Sequence, residues 1–251
     1  MNGAIAIGDG LLVPSPAVRR EYLKLPRDLA ALTRSFGITL PPQLQRDTAV
    51  LAFSIECTDR LLDAIREAGG RGKFSIDVLS RLRAERISNP DVTPELIGWL
   101  ARLKDVAERH HVHAEFCEII RELLCNSEQM RITQSGARFV DCAVKEGRLM
   151  VELLLLILGD VSTPSFANFM HRLAGPANLA DKLRDARHDF QRGEIAVRLT
   201  LSFRARLLYE MLWRVIHLVR VSGVNGRLVV WGVQSLFTEL IWFRFSTLHS
   251  R

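Results

Sequence analysis

The sequence predicts an all-α protein in which long helices pack around a central core. Apolar residues recur at helical spacing along nearly the whole chain, and no alternating segment is flanked by hairpin signals. The 251 residues, of which 48% are hydrophobic, suffice for one large core. We therefore expect residues 1–251 to form a single domain, with residues 1–33 as an N-terminal extension.

Start and stop signals divide the chain into helices. The first begins after the breaker Leu40-Pro41-Pro42 and stops at the glycine-rich segment 69–73, GGRGK, which predicts a flexible basic loop. Thr93 supplies an N-cap for the next helix, and Pro94 is a favourable first residue. The predicted helices span residues 43–68, 94–109, 114–126, 136–158, 164–193, 195–221 and 226–245. Within residues 164–193, Ala174-Gly175-Pro176 predicts a kink or a break.

Charge and composition narrow the classes of function. A net charge of +6 and a pI of about 9.5 fit a nucleic acid, an anionic membrane surface or a phosphorylated small molecule. The basic residues are spread out and the aromatics lie in apolar runs, so we expect no nucleic-acid partner. The longest apolar run is far shorter than the roughly 20 residues that cross a bilayer. Without a signal peptide or paired cysteines, the chain is expected in the cytoplasm, with peripheral membrane contact as an option.

Two stretches place aspartates four residues apart. NLADKLRDARHDFQRGE, residues 178–194, contains Asp181, Asp185 and Asp189, and ECTDRLLD, residues 56–63, contains Asp59 and Asp63. Four residues rise about 6 Å along a helix and return to nearly the same face, so such a pair can share a hard cation such as Mg²⁺. For one such stretch alone, a solvated face with Arg–Asp pairs is the commoner explanation. The second stretch favours a polynuclear metal site that holds a diphosphate.

Two other clusters of polar residues could bind a ligand, but each has a simpler structural explanation. Residues 110–117, HHVHAEFC, gather metal-ligand types but lack the two separated ligand pairs of a structural zinc site, so a solvated turn is preferred. Four arginines interrupt the apolar pattern of the predicted helix 195–221. They either face a diphosphate or form the solvent-exposed face of the helix, and we favour the solvent-exposed face. These arginines are Arg204, Arg206, Arg214 and Arg220.

The order of these features resembles the squalene/phytoene synthase family. Arg34-Ser35-Phe36, Leu40-Pro41-Pro42, Arg46, Phe53 and the pair Asp59 and Asp63 are similar to its N-terminal signature. The segments 139–143, 146–150 and 157–159 resemble the helix before its second acidic motif. Residues 178–193 then fall on the family pattern QxxNxxRDxxxDxxxG. The resemblance extends from about residue 34 to residue 194.

The resemblance implies an isoprenoid synthase (class I terpenoid synthase) fold around a central cavity. It implies an Mg²⁺-dependent prenyltransferase that condenses C15 or C20 isoprenyl diphosphates head to head, by diphosphate ionisation and carbocation chemistry. Mg²⁺, or Mn²⁺ as an alternative, would be bound by four residues that are also catalytic: Asp59, Asp63, Asp185 and Asp189. The implied diphosphate contacts are Ser35, Arg46, Asn178, Asp181 and Arg184.

Several positions depart from the family pattern. Glu56 stands where the family usually has an arginine, and Arg60 and His188 stand where it commonly has a second acidic residue. Asp181 replaces an asparagine, and residues 196–199, AVRL, replace a Tyr-Leu-Pro-like segment. Two alternatives therefore stay open: a class I terpene cyclase or other prenyl transfer on the same fold, and a non-catalytic relative that acts as a binding or assembly factor.

Overall fold

A computed structural model of the chain describes residues 5–7, 10–12, 20–84 and 93–221. These residues form eight α-helices, one 3₁₀ turn at Gly159–Val161, and a pair of short antiparallel strands, which confirms the all-α prediction apart from the strands. The strands are β1 (Ile5–Ile7) and β2 (Gly10–Leu12). The helices are α1 (Arg20–Ser35), α2 (Pro42–Ala64), α3 (Ala68–Leu82), α4 (Pro94–Arg109), α5 (His113–Ile132), α6 (Gly136–Leu158), α7 (Pro164–Arg192) and α8 (Leu201–Val221). The predicted helix 226–245 lies outside the described residues.

The chain divides into two compact units. Unit 1 comprises Met1–Glu128 and Leu149–Ala167, and unit 2 comprises Gln129–Arg148 and Asn168–Arg251. The boundaries fall inside α5, α6 and α7, so each of these helices contributes residues to both units. The expectation of one domain over residues 1–251 stays a prediction.

In unit 1, α2 packs antiparallel to α4. Arg60 near the end of α2 contacts Glu95 at the start of α4, whereas Asp47 near the start of α2 contacts Arg109 at the end of α4. Between these points the ring of Phe53 meets the ring of Trp99 edge-on, with 5.5 Å between centroids. Fully buried residues from other helices complete this core, among them Phe74, Phe116, Leu153 and Ile157. The apolar run of α6 thus contributes ordinary core side chains to unit 1.

The glycine-rich segment 69–73 is the first part of α3, so the prediction of a flexible loop there is wrong. A Cβ on Gly70 would lie 2.8 Å from a methyl carbon of Ile65, so this position has no room for a side chain. Arg71 then donates to the carboxylate of Glu128 at 2.7 and 2.8 Å and to the carbonyl oxygen of Arg66. These tertiary bonds hold a segment whose glycines alone disfavour a helix. As a result α2 ends at Ala64, four residues earlier than expected.

In unit 2, α6 and α7 approach each other closely at Gly147. A Cβ on Gly147 would lie 2.4 Å from the carbonyl oxygen of Ala174, so only glycine allows this backbone contact. The helix α7 continues through Pro176, and the predicted break there is wrong. A proline removes one backbone donor, but packing of Ala174 and Gly175 against α6 supports the helix on this side.

The helix α8 begins at Leu201, six residues later than predicted, because Thr200 caps it. The Thr200 hydroxyl accepts a hydrogen bond from the backbone N–H of Phe203 at 3.1 Å.

One face of α8 is buried in the core of unit 2, at Phe203, Leu207, Met211 and Leu218. The opposite face exposes large apolar side chains at Leu208, Tyr209, Leu212, Trp213, Ile216 and Val219. Of the four arginines on this helix, Arg204, Arg206 and Arg220 are exposed, as predicted, and Arg214 pairs with Glu210 at 3.5 Å.

The four cysteines are free thiols, as expected from their scattered positions. Three of them are buried: burial raises the pKa of Cys57 to about 11 and also raises the pKa of Cys117 and Cys142. Cys125 on α5 is exposed.

No helix among the described residues combines the length and the hydropathy needed to cross a bilayer.

Candidate functional site

The first acidic pair lies on α2, in unit 1. Asp59 and Asp63 are both half-buried, one helical turn apart. Beside them Leu62 is buried and Leu61 packs partly against the core of the unit. The carboxylates therefore border an apolar stripe, as the sequence pattern predicts, and they remain within reach of solvent.

Two departures from the family pattern are partners of each other. Glu56 is completely buried, and its Oε1 lies 3.8 Å from Nε of Arg60, one turn further along α2. Arg60 also contacts both carboxylate oxygens of Glu95 on α4, at 3.2 and 3.3 Å. Where the family has a basic and then an acidic residue, this chain has an acidic and then a basic one. The exchange keeps the charges of the two positions in balance, and the guanidinium of Arg60 is held by Glu56 and Glu95.

Two residues that the resemblance assigns to the diphosphate lie before this pair in the chain. Ser35 is exposed at the end of α1, where its hydroxyl donates to the carbonyl oxygen of Leu32 at 2.6 Å. Arg46 lies in the second turn of α2 beside a small cavity of about 180 Å³. At a rise of 1.5 Å per residue, Arg46 is about 20 Å from Asp59 along the helix axis. A diphosphate bound at Asp59 would be beyond its reach.

Asp47 forms a polar network next to Arg46 that the sequence did not indicate. Its side chain is only 2% exposed, and its two carboxylate oxygens are held by three side chains. Nη1 of Arg109 lies 2.6 Å from Oδ1, Nε2 of Gln43 lies 2.8 Å from the same oxygen, and Nε2 of His110 lies 2.9 Å from Oδ2. Buried carboxylates require such partners. A single aspartate on this helix gives no sequence signal for the role, because its partners Arg109 and His110 come from a distant segment.

Residues 110–112 of the histidine-rich segment form the predicted turn between α4 and α5, whereas residues 113–117 belong to the start of α5. His110 belongs to the Asp47 network and is half-buried, so that part of the turn is less solvated than expected. His113 has its Nε2 2.7 Å from the carbonyl oxygen of Leu82 and 3.7 Å from the sulfur of Cys117. Each of these side chains has a structural partner.

The second acidic stretch lies on α7, in unit 2. Asn178 donates from its amide nitrogen to the carbonyl oxygen of Ala143 at 2.6 Å and to Oε2 of Glu146 at 2.9 Å. Lys182 contacts the same Glu146 oxygen at 2.9 Å. Asn178 and Lys182 thus fix α7 against α6, and the amide of Asn178 has a structural role whether or not it binds a ligand.

Arg184 pairs with two aspartates of its own helix. Its Nε and Nη2 donate to the two oxygens of Asp185, both at 2.9 Å, and Nη2 also contacts Asp181. This two-pronged geometry is the strong form of an arginine–carboxylate pair. It is the arrangement that the simpler interpretation of the stretch predicts, in which arginines neutralise neighbouring aspartates on a surface. Asp189, one turn later, is half-buried.

Asp181 is the position where the family pattern has an asparagine. Its side chain is 46% exposed, yet desolvation by its surroundings raises the pKa of its carboxyl group. The nearby positive charges of Arg184 and Lys182 lower the pKa without cancelling that effect, and the negative charge of Asp185 adds to it. The charged form of Asp181 is therefore held at some cost, which an amide would avoid.

The oxygen donors of these residues fit a hard cation. Carboxylates at i,i+4 spacing are the ligand type that Mg²⁺ binds together with substrate phosphates. Within the described ranges, however, no three His, Cys, Asp or Glu side chains are gathered as a metal-binding group. Asp59 and Asp63 belong to unit 1, whereas Asp185 and Asp189 belong to unit 2, so each unit by itself supplies one pair.

Comparisons of the chain with protein-family models, with curated proteins and with solved structures find no match.

Proposed function

We propose that the chain is an Mg²⁺-dependent enzyme that acts on isoprenyl diphosphates, as a prenyltransferase of the squalene/phytoene synthase type on an isoprenoid synthase fold. The observation that carries the proposal is the recurrence of half-exposed aspartates at i,i+4 spacing on two long helices, α2 and α7. Their order, and the residues that flank them, follow the family pattern named above. The proposed substrates are C15 or C20 diphosphates.

The proposed metal ligands are Asp59 and Asp63 on α2 and Asp185 and Asp189 on α7. When bound there, Mg²⁺ (or Mn²⁺) would neutralise the charge of the departing diphosphate. Each oxygen of Asp185 has a second lone pair, but a cation bound there would compete with Arg184 and favour release of its guanidinium. The freed guanidinium is then available to a phosphate oxygen, since a planar fork matches phosphate as well as carboxylate.

Incubation with farnesyl or geranylgeranyl diphosphate and Mg²⁺ tests this function directly. We expect metal-dependent release of diphosphate together with a hydrocarbon product, whose structure distinguishes condensation from cyclisation. Asp59→Asn and Asp185→Asn should each reduce the rate by more than about 100-fold, because loss of an outer-shell partner alone costs a metal site roughly 10–100-fold. Asp141→Asn, which removes an exposed carboxylate from α6, is the matched control and should leave the rate unchanged.

A second candidate is a non-catalytic relative that binds a partner or ligand. Two observations favour it: Arg184 pairs with both oxygens of Asp185, and Arg60, where the family commonly has an acidic residue, pairs with Glu56 and Glu95. Under this alternative no C10 to C20 diphosphate would be turned over by the folded protein. Undiminished turnover in both aspartate variants would instead refute the assignment of the metal ligands.

Peripheral contact with a membrane stays part of the proposal.

A further inference from the structure

Unit 2 contains a cavity of about 590 Å³ where α6 and α8 begin. Residues 196–198, in the segment that replaces the family's Tyr-Leu-Pro-like sequence, contribute to its wall. None of the residues proposed above to bind metal or diphosphate lines it. The cavity is therefore a separate feature of this chain, and its size is typical of a small-molecule site.

The charged side chains that the described residues contribute to the cavity wall are all positive. Arg198 and Arg206 line the cavity, and both are exposed. Among the described residues that line the cavity there is no aspartate or glutamate, and within the same part of the chain neither arginine has an ion-pair partner. Two guanidinium groups without a neutralising carboxylate favour an anion, and their fork geometry suits phosphate oxygens.

The wall also supplies uncharged donors and a rigid frame. The hydroxyls of Thr200 and Ser202 lie 2.9 Å apart at the start of α8. The first turns of α6 and α8 contain no acidic residue that would repel an anion. A Cβ on Gly136 would lie 3.0 Å from the ring of Phe203, so the start of α6 packs tightly against α8. The partial positive charges of both helix starts add to the field of the arginines.

We propose that this cavity binds a small phosphorylated molecule, with its phosphoryl group at Arg198 and Arg206. Inorganic phosphate would fill only part of the volume, whereas the exposed Ala196, with the edges of the buried Val197 and Phe203, gives an attached organic group an apolar wall. The ligand class is therefore a phosphate ester with an uncharged, partly apolar body. The site requires neither a metal ion nor the aspartates of α2 and α7.

Calorimetric titration of the full chain, in the presence of EDTA, tests this site with phenyl phosphate and with inorganic phosphate as probes. We expect saturable binding of phenyl phosphate at one site per chain, and weaker binding of inorganic phosphate. Arg206→Gln and Arg198→Gln should each weaken phenyl phosphate binding by at least about tenfold, because each removes a charge-assisted contact. Arg204→Gln is the matched control, since Arg204 is exposed on the same helix but does not line the cavity.

Three results would overturn the site: no saturable binding of either probe, equal losses in Arg204→Gln and Arg206→Gln, or full affinity in both cavity variants. The second result would indicate general electrostatic attraction to a basic surface. Binding that survives in Asp185→Asn separates this site from the proposed enzymatic one, because that variant removes a proposed metal ligand and leaves the cavity intact. Loss of binding in Asp185→Asn with retention in Arg206→Gln would place the anion elsewhere.

Discussion

The helices α2 and α7 carry aspartates at the same spacing, but their acidic side chains find partners in different ways. On α2, the buried Asp47 is held by Arg109 and His110 from the end of α4, and Arg60 reaches Glu95 on the same neighbour. On α7, Asp181 and Asp185 are paired with Arg184 of their own helix. One set of charges joins two helices, whereas the other set is satisfied locally.

The charged groups that are easiest to recognise in the sequence are therefore not the ones whose loss should destabilise the fold most. Local pairs at the surface contribute little to folding, because solvent screens them and ordering the side chains costs entropy. Removing one member of a buried network costs much more, since it leaves the remaining buried groups unsatisfied. We therefore expect substitutions in the acidic stretch of α7 to lower the free energy of unfolding less than substitution of Asp47 on α2.

The largest effect is expected from Asp47→Asn. An amide at position 47 keeps one acceptor oxygen for Arg109 and Gln43, but it leaves Arg109 without its anion and can bond His110 only if the ring nitrogen Nε2 accepts. We expect the free energy of unfolding to fall by about 3 kcal/mol, the lower end for a broken buried pair, because Arg109 is partly solvated. Urea unfolding measures the loss. Asp105→Asn, at an exposed position on α4, should stay within about 0.5 kcal/mol of the wild type.

A loss for Asp47→Asn as small as that of its control would break the comparison, since it would mean that the buried network contributes no more than a surface pair.

An intermediate effect is expected from Gly147→Ala, which tests how firmly α7 is fixed against α6. The new methyl group would meet the carbonyl oxygen of Ala174 at 2.4 Å, and a backbone atom cannot move aside as a flexible side chain can. Overpacking of this kind costs about 2 kcal/mol. Gly98→Ala on α4 has open space around it and should be neutral or stabilising, because alanine favours the helix.

Similar stability of both glycine variants would show that the close contact at Gly147 does not fix α7 against α6.

The smallest effect is expected from Asp181→Asn, and it should depend on pH. The folded-state pKa of Asp181 is raised above its ordinary value of 3.8, so between these two pKa values the folded chain binds more protons than the unfolded chain. The contribution of Asp181 to stability therefore falls as pH rises through that window. We expect the wild type to lose a small amount of stability relative to Asp181→Asn as pH rises above 3.8, a small change because the carboxylate is partly solvated.

Urea unfolding of both proteins across this pH range measures the difference. A wild type that gains stability over the variant as pH rises would show that the ion pair with Arg184 outweighs desolvation.

Where a boundary is encoded by local chemistry, the sequence predicts it well. The helix α4 begins at Pro94 with Thr93 as its cap, because an N-cap acts within a single turn, and α6 spans residues 136–158 as predicted. The start of α8 was misplaced because apolar spacing continues upstream of the true cap, Thr200. The helix α3 was missed because its first turn is stabilised by the contact of Arg71 with Glu128, far away in the chain.

The candidate site divides in the same manner. Spacing alone predicts that the paired aspartates lie on partly exposed helix faces, and in the structure all four are half-buried: Asp59, Asp63, Asp185 and Asp189. The pairing of Glu56 with Arg60 was also accessible, since an i,i+4 acidic–basic pair is a local feature. The Asp47 network and the arginine-lined cavity of unit 2 were not, because each depends on which distant segments pack together.

The distribution of the thiols has a practical consequence for following this chain in solution. A thiolate is the species that reacts with maleimides and related dyes, and burial both hides a sulfur and keeps it protonated. Of the four cysteines, only Cys125 on α5 is exposed, while Cys57, Cys117 and Cys142 are buried with raised pKa values. A fluorophore can therefore be attached at one defined point of the native sequence, without first removing any other cysteine.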